Sequence, residues 1–241
     1  MPGRASSRPH LCDQQDEPPL QGSPGLTKVI RPVVFDVGNV LYDWDPRFLY
    51  SKLIADPVEL DWFLSHVLTR EWHFQHDQGR AAADTTAELT AAFPDHAALI
   101  AHYVPRWLET IAGPMPGMIE LVEELADAGV PLFAITNFSH EFWPRFRATA
   151  PIFDRFRDIV VSGDERLVKP GAAIFELAMR RFGLAPGEAL FIDDRADNVA
   201  AAEAAGMIGH LFAGEPGVRA FLAANRLQRD YSLRRGDDEH K

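Results

Sequence analysis

Two runs at opposite ends of the chain, Val33-Val34-Phe35-Asp36 and Ala189-Leu190-Phe191-Ile192-Asp193-Asp194, are apolar at every residue until they stop on carboxylates. A strand with no polar alternation has to be covered on both faces, the situation of a parallel sheet held between helices. An ionised Asp at the end of such a strand costs several kcal/mol unless it is paired or bound to a metal. A chain that does this twice is expected to bring carboxylates together around a cation.

The rest of the chain repeats the theme. From residue 113 onward, short β-rich runs (Pro131–Thr136, Ile159–Gly163, Ala189–Asp194, Gly209–Gly214) alternate with helical patterns, among them Met118, Leu121, Val122, Leu125 and Phe175, Ala178, Met179, Phe182. Gly129 supplies the stop of the first helix. Strands separated by helices of about 10–15 residues imply βαβ crossovers, hence a doubly wound, Rossmann-like α/β core. Val29–Val37, almost wholly apolar, is expected as one central strand of that sheet. Residues 46–112 break the rhythm with aromatic-rich helical patches around Phe48, Phe63 and Trp107. They are expected to form a small helical cap inserted after the first strand, and ligands in such sheets bind beyond the C-terminal strand ends. The expected organisation is a core of residues 28–45 and 113–228, the cap of 46–112, a disordered extension over 1–27 and a flexible tail over 229–241.

Composition narrows the partners. A formal net charge of −11 disfavours nucleic acid and anionic membrane as general ligands. The single cysteine, Cys12, permits no internal disulfide and fits a reducing compartment. The chain contains no apolar stretch of roughly 18 residues, and residues 1–27 lack the apolar centre of a signal peptide. The expectation is a cytoplasmic protein.

Four motifs occur in order, each at a strand end or in the loop after it: Phe35-Asp36-Val37-Gly38-Asn39-Val40, Thr136-Asn137, Lys169-Pro170, and Asp193-Asp194 followed by Asp197-Asn198. Over about residues 29–225 this order resembles the haloacid dehalogenase superfamily with a helical cap of the C1 type, most of whose members are phosphatases. The resemblance implies that Asp36 attacks phosphorus to form an aspartyl-phosphate, which water then hydrolyses. It implies Mg²⁺, a hard cation suited to oxygen ligands, held by the Asp36 carboxylate, the Gly38 carbonyl and Asp194, with Asp193 as a ligand or its support. Thr136 and the Asn137 N–H would bind phosphoryl oxygens, Lys169 would stabilise transition-state charge, and Asn198 would orient the last motif.

Gly38 departs from the common pattern. Most phosphatases of the superfamily place there a second Asp, which protonates the leaving alcohol and later activates water. The sequence resembles the Asp-x-Gly-Asn-Val subgroup, which includes α-glucose-1-phosphate phosphatase, with further likeness in Gln75-His76-Asp77-Gln78-Gly79 and Phe142-Trp143-Pro144. Asp43 and Asp45, in the turn-like segment Tyr42-Asp43-Trp44-Asp45-Pro46, and His73 and His76 in the cap are alternative proton sources. A 2-haloacid dehalogenase would need no second Asp, because halide leaves unprotonated, but the Asp193-Asp194 pair beside an anionic nucleophile argues for a cation. A catalytically silent module is the third reading.

Asp193 follows Lys169 at a spacing of only 24, too short for a second large lid, so specificity falls to the cap. Its stretch Glu71-Trp72-His73-Phe74-Gln75-His76-Asp77-Gln78-Gly79-Arg80 mixes aromatic and polar groups, as sugar recognition requires. His76 and Arg80 are the expected substrate contacts. The expected partner is a small phosphorylated molecule, a sugar phosphate, and the expected assembly a monomer or homodimer.

Overall fold

A computed structural model of the protein describes residues 29–225 and 227–228; the extension expected over 1–27 and the tail over 229–241 lie outside the described residues. Five parallel strands make the central sheet: β1 (Val33–Phe35), β2 (Leu132–Thr136), β3 (Asp158–Val161), β4 (Leu190–Asp193) and β5 (Ile208–Leu211). Their spatial order is β3-β2-β1-β4-β5. β1, β2 and β4 are buried along their whole length, whereas the edge strands β3 and β5 are partly exposed. The uninterrupted apolar runs are the inner strands.

Because side chains alternate along a strand, the sheet feeds two separate cores. Val33, Phe35, Leu132, Ala134, Leu190 and Ile192 pack with the helices Met118–Asp127 and Glu215–Asn225. Val34, Phe133, Ile135 and Phe191 pack on the opposite face with Ala172–Phe182 and Ala196–Ala204. Met118–Asp127 buries Met118, Leu121, Val122 and Leu125, the stripe read from the sequence. Each such side chain contributes about 1.5–3 kcal/mol on burial.

Three expectations need correction. Val29–Val37 is not one strand: Val29–Ile30 pairs antiparallel with Leu227–Gln228, and β1 begins only after Arg31-Pro32. Pro32 has no N–H for a ladder, so the run breaks there. The run Ile159–Gly163 leaves the sheet after Val161 and turns into a short helix, Ser162–Glu165. Tyr42–Trp44, read as part of a turn, is a strand paired antiparallel with Ile111–Pro114. This two-stranded ribbon joins both ends of the insertion to the core.

Within the insertion lie the helices Arg47–Tyr50, Pro57–His66, Arg70–Asp77, Ala82–Ala92 and Ala97–Ile100. Asp56 and Thr69 cap the second and third, accepting from the N–H groups of Val58 and Trp72. The apolar interior of the insertion (Leu49, Phe63, Tyr103, Trp107) is continuous with one core of the sheet. Trp107 stacks on Phe142 with centroids 4.9 Å apart. The end of Arg70–Asp77 is seated directly on the core: the Ser162 hydroxyl donates to the Asp77 carbonyl at 2.7 Å. Gly79, at φ +87°, packs so closely that a Cβ there would lie 2.9 Å from the Gly163 carbonyl oxygen.

Candidate active site

The sheet delivers its charges at one end. Asp36 follows β1 directly, and its N–H still donates to the Ile192 carbonyl at 2.9 Å, so the carboxylate is held by the ladder between β1 and β4. Asp193 closes β4 and is fully buried. Lys169 reaches both: its Nζ lies 2.8 Å from Asp36 Oδ1 and 2.7 Å from Asp193 Oδ2. Lys169 is itself held by Asn137, whose side-chain amide donates to the Lys169 carbonyl while its oxygen accepts the Lys169 N–H. Asn137 follows β2, so this reciprocal pair ties the second motif to the third.

Asp193 has little spare capacity. Oδ1 accepts from the Arg195 N–H and from Asn198, and Oδ2 accepts from Lys169 and from Asn198. Asp194, partly buried, completes a cluster in which Asp36, Asp193 and Asp194 each offer an oxygen within 4.8 Å of the others. Three carboxylates against one ammonium leave two negative charges to be balanced. Burial, opposed by Lys169 and reinforced by Asp193 and Asp194, pushes the Asp36 carboxyl up to about 7. Burial and the neighbouring Asp193 also raise Asp194. For Lys169, burial works against the ammonium, but Asp36 and Asp193 outweigh it and the pKa is raised. A divalent cation among these oxygens would relieve the same repulsion, so the donor set fits a hard metal ion.

Two more motif residues have local reasons to be there. Asn39 takes a left-handed conformation (φ 58°), which Asn tolerates better than most residues, and its side-chain oxygen accepts the Trp44 N–H at 3.0 Å. The Thr136 hydroxyl is buried without a hydrogen-bond partner, an orphan of the kind that a bound oxyanion satisfies.

A pocket of about 80 Å³ opens beside this cluster. The core supplies Val37, Gly38, Asn137, Phe138 and Phe146; the ribbon and the insertion supply Tyr42, Trp44, His73, Asp77, Trp107 and Ile111. The expected substrate contacts are elsewhere. His76 is fully buried inside the insertion, its Nε2 2.6 Å from the Thr85 hydroxyl and its ring edge-on to Trp72. Arg80 is at the surface, bonded to Gln75 and, at 2.6 Å, to Glu88. Asp45 caps the Arg47 N–H, and neither Asp43 nor Asp45 lines the pocket. Of the four side chains expected as alternative proton sources, His73 alone is in its wall. Asp77, not among the expected site residues, lies four residues beyond His73 on the same helical face; that i, i+4 spacing is the signal the sequence offers for it.

The family model described as haloacid dehalogenase-like hydrolase matches residues 30–206. The chain belongs to the haloacid dehalogenase-like hydrolases. Among curated relatives, a glyceraldehyde 3-phosphate phosphatase from Methanopyrus kandleri is 30% identical over 75% of this chain and 82% of its own. A sesquiterpene phosphatase from Aspergillus oryzae is 24% identical over 76% of this chain and 90% of its own. Among solved structures, a haloacid dehalogenase family enzyme from Bacteroides thetaiotaomicron, in complex with magnesium and inorganic phosphate, superposes with a TM-score of 0.58. It is 19% identical and covers 77% of this chain and 96% of that one, so the likeness is one of fold. In this haloacid dehalogenase-like hydrolase, then, the four sequence motifs converge on one buried, acidic site at the carboxyl ends of β1, β2 and β4.

Proposed function

We propose that the protein is a phosphatase of small phosphomonoesters that uses Asp36 as nucleophile and works with Mg²⁺. The observation that carries this reading is the buried Lys169 bridge between Asp36 and Asp193, with Asp194 adding a charge that no ammonium answers. Mg²⁺ would be held by Asp36, the Gly38 carbonyl and Asp194, and would neutralise charge where two anions must approach. Asp193, with both oxygens already engaged, serves to fix Lys169 and the loop after β4. Lys169 fixes Asp36 through Oδ1 and leaves Oδ2 to attack phosphorus. Thr136 offers its unpartnered hydroxyl to a phosphoryl oxygen. The phosphatases among its relatives support the same chemistry.

The pocket refines the expected substrate. A sugar needs many hydrogen-bonding partners, whereas Val37, Trp44, Trp107, Ile111, Phe138 and Phe146 form more than half of the lining and its polar side chains are Tyr42, His73, Asp77 and Asn137. This supports a small leaving group with apolar faces over a polyhydroxyl one. The three-carboxylate cluster speaks against a 2-haloacid dehalogenase, whose nucleophile would face uncompensated repulsion.

A panel of alkyl, aryl and sugar phosphates together with 2-chloropropionate, assayed with Mg²⁺ and with EDTA, tests the reading. Phosphate release that EDTA abolishes, fastest with alkyl and aryl esters, is the expected result. EDTA-resistant halide release would overturn it.

A further inference from the structure

A phosphatase reading leaves one proton without a donor. An alcohol leaves phosphorus slowly as an alkoxide, and general acid assistance is worth typically ~10²–10⁴-fold. Position 38 has no side chain to supply it, and a Cβ built there would meet nothing within 4 Å, so that part of the pocket is open. The titratable side chains of the pocket wall are Tyr42, His73 and Asp77.

Tyr42 is a weak acid made weaker by burial. His73 is buried, its Nδ1 engaged with the Tyr103 hydroxyl and its ring against Trp44, 4.6 Å between centroids. Burial, with His76 and Arg70 nearby, brings it down to about 3, so it is a neutral ring with no second proton to give.

Asp77 differs from both. Its side chain is buried in the pocket wall, and Oδ1 has no hydrogen-bond partner. It is rigidly placed, because Ser162 holds its carbonyl and Gly79 packs against Gly163. The charged and titratable groups acting on it are His73, whose Nε2 is 3.7 Å from Oδ1, and Asp36 and Lys169, which are close enough to shift its charge. Burial, then Asp36, holds its carboxyl well above the ordinary carboxylate range against the pull of Lys169. A carboxyl kept protonated beside a phosphoryl site is equipped to donate.

We propose that Asp77, carried by the helical insertion, is the general acid and base of this site, an inference that rests on the phosphatase reading. In the first step Asp36 Oδ2 bonds to phosphorus, the bond from phosphorus to the ester oxygen breaks, and the Asp77 carboxyl proton passes to that oxygen, releasing an alcohol. In the second, the Asp77 carboxylate takes a proton from water, the water oxygen bonds to phosphorus, and the bond to Asp36 breaks, releasing phosphate. Substrate and water become alcohol and phosphate, with Asp77 again protonated.

The test compares phenyl phosphate, whose leaving group needs a proton, with 2,4-dinitrophenyl phosphate, whose leaving group does not. Asp77→Asn should lower kcat/KM for the first by ~10²–10⁴-fold and for the second by less than about tenfold, the most expected when no proton transfer is lost. Adding Gly38→Asp to Asp77→Asn should restore part of the loss with phenyl phosphate, since position 38 has room. Equal losses on both esters, or none, would overturn the proposal. The wild-type enzyme gives a check that does not depend on how the variant folds: kcat/KM across substituted phenyl phosphates should vary little with leaving-group acidity, and a steep dependence would overturn the assignment. A wild-type enzyme inert toward every ester would instead overturn the phosphatase reading beneath it.

Discussion

At Lys169 one buried ammonium answers two carboxylates, 2.8 and 2.7 Å away, and sits 5.7 Å from the centroid of the Phe191 ring. Lys169→Met removes that charge and leaves Asp36 and Asp193 buried against each other. Breaking a buried pair in this way costs about 3–5 kcal/mol, so urea unfolding in EDTA should show a loss of that size. Turnover should fall by ~10²–10³, the scale of losing one preorganised electrostatic donor; a variant with wild-type kcat would remove Lys169 from the mechanism. At this scale the sequence was legible wherever a charge interrupts an apolar strand, as at Asp36 and Asp193, because such a charge demands an explanation. It was misleading in the run from Glu71 to Arg80. His76 and Arg80 looked chemical by type, yet one is packed among aromatic rings and the other bonds to Glu88. Asp77, between them, is marked in the sequence only by its i, i+4 spacing from His73.

The helix Arg70–Asp77 joins catalysis to stability. Burial, with Arg80 adding to it, brings His76 down to about 4, below its ordinary value near 6.5. A group whose pKa falls on folding gives stability that is present above the unfolded value and lost as pH falls toward the folded one. Because Asp77, with its raised pKa, drives the opposite trend, the effect is best read as a difference between wild type and His76→Gln. The wild-type advantage in unfolding free energy should shrink by about 2 kcal/mol between pH 7 and pH 5; a constant difference would mean that His76 is not held neutral. For elements in general, the inner strands and the amphipathic helices were readable because their periods are local properties of the chain. The ribbon of Tyr42–Trp44 and Ile111–Pro114 was not, since its partners are far apart in sequence and Asp43 disguises the first strand. The break at Pro32 is a local property too, since Pro has no N–H for the ladder, but it sits inside a long apolar run that masks it.

For the molecule as a whole, the cation should be felt as stability. Anything that binds only the folded state adds RT ln(1 + [L]/Kd), about 2.7 kcal/mol at a hundredfold excess over Kd. Thermal unfolding should therefore move upward by roughly 5–10 °C when Mg²⁺ replaces EDTA, given about 2–4 °C per kcal/mol at this chain length. Asp194→Asn should abolish most of that rise while leaving the melting temperature in EDTA unchanged or higher, because it removes one member of a repelling cluster. An identical Mg²⁺ response in the variant would place the ion elsewhere.

The pocket draws one wall from the segments that follow β1 and β2 and the other from the ribbon and the insertion. A lineage that exchanged or reshaped the insertion would thus alter two things at once: which leaving group fits, and which acid meets it. Freed from supplying the proton donor at position 38, the sheet would become a common chassis for phosphoryl capture, with both selectivity and proton supply inherited from whatever chain segment is spliced between Trp44 and Ile111.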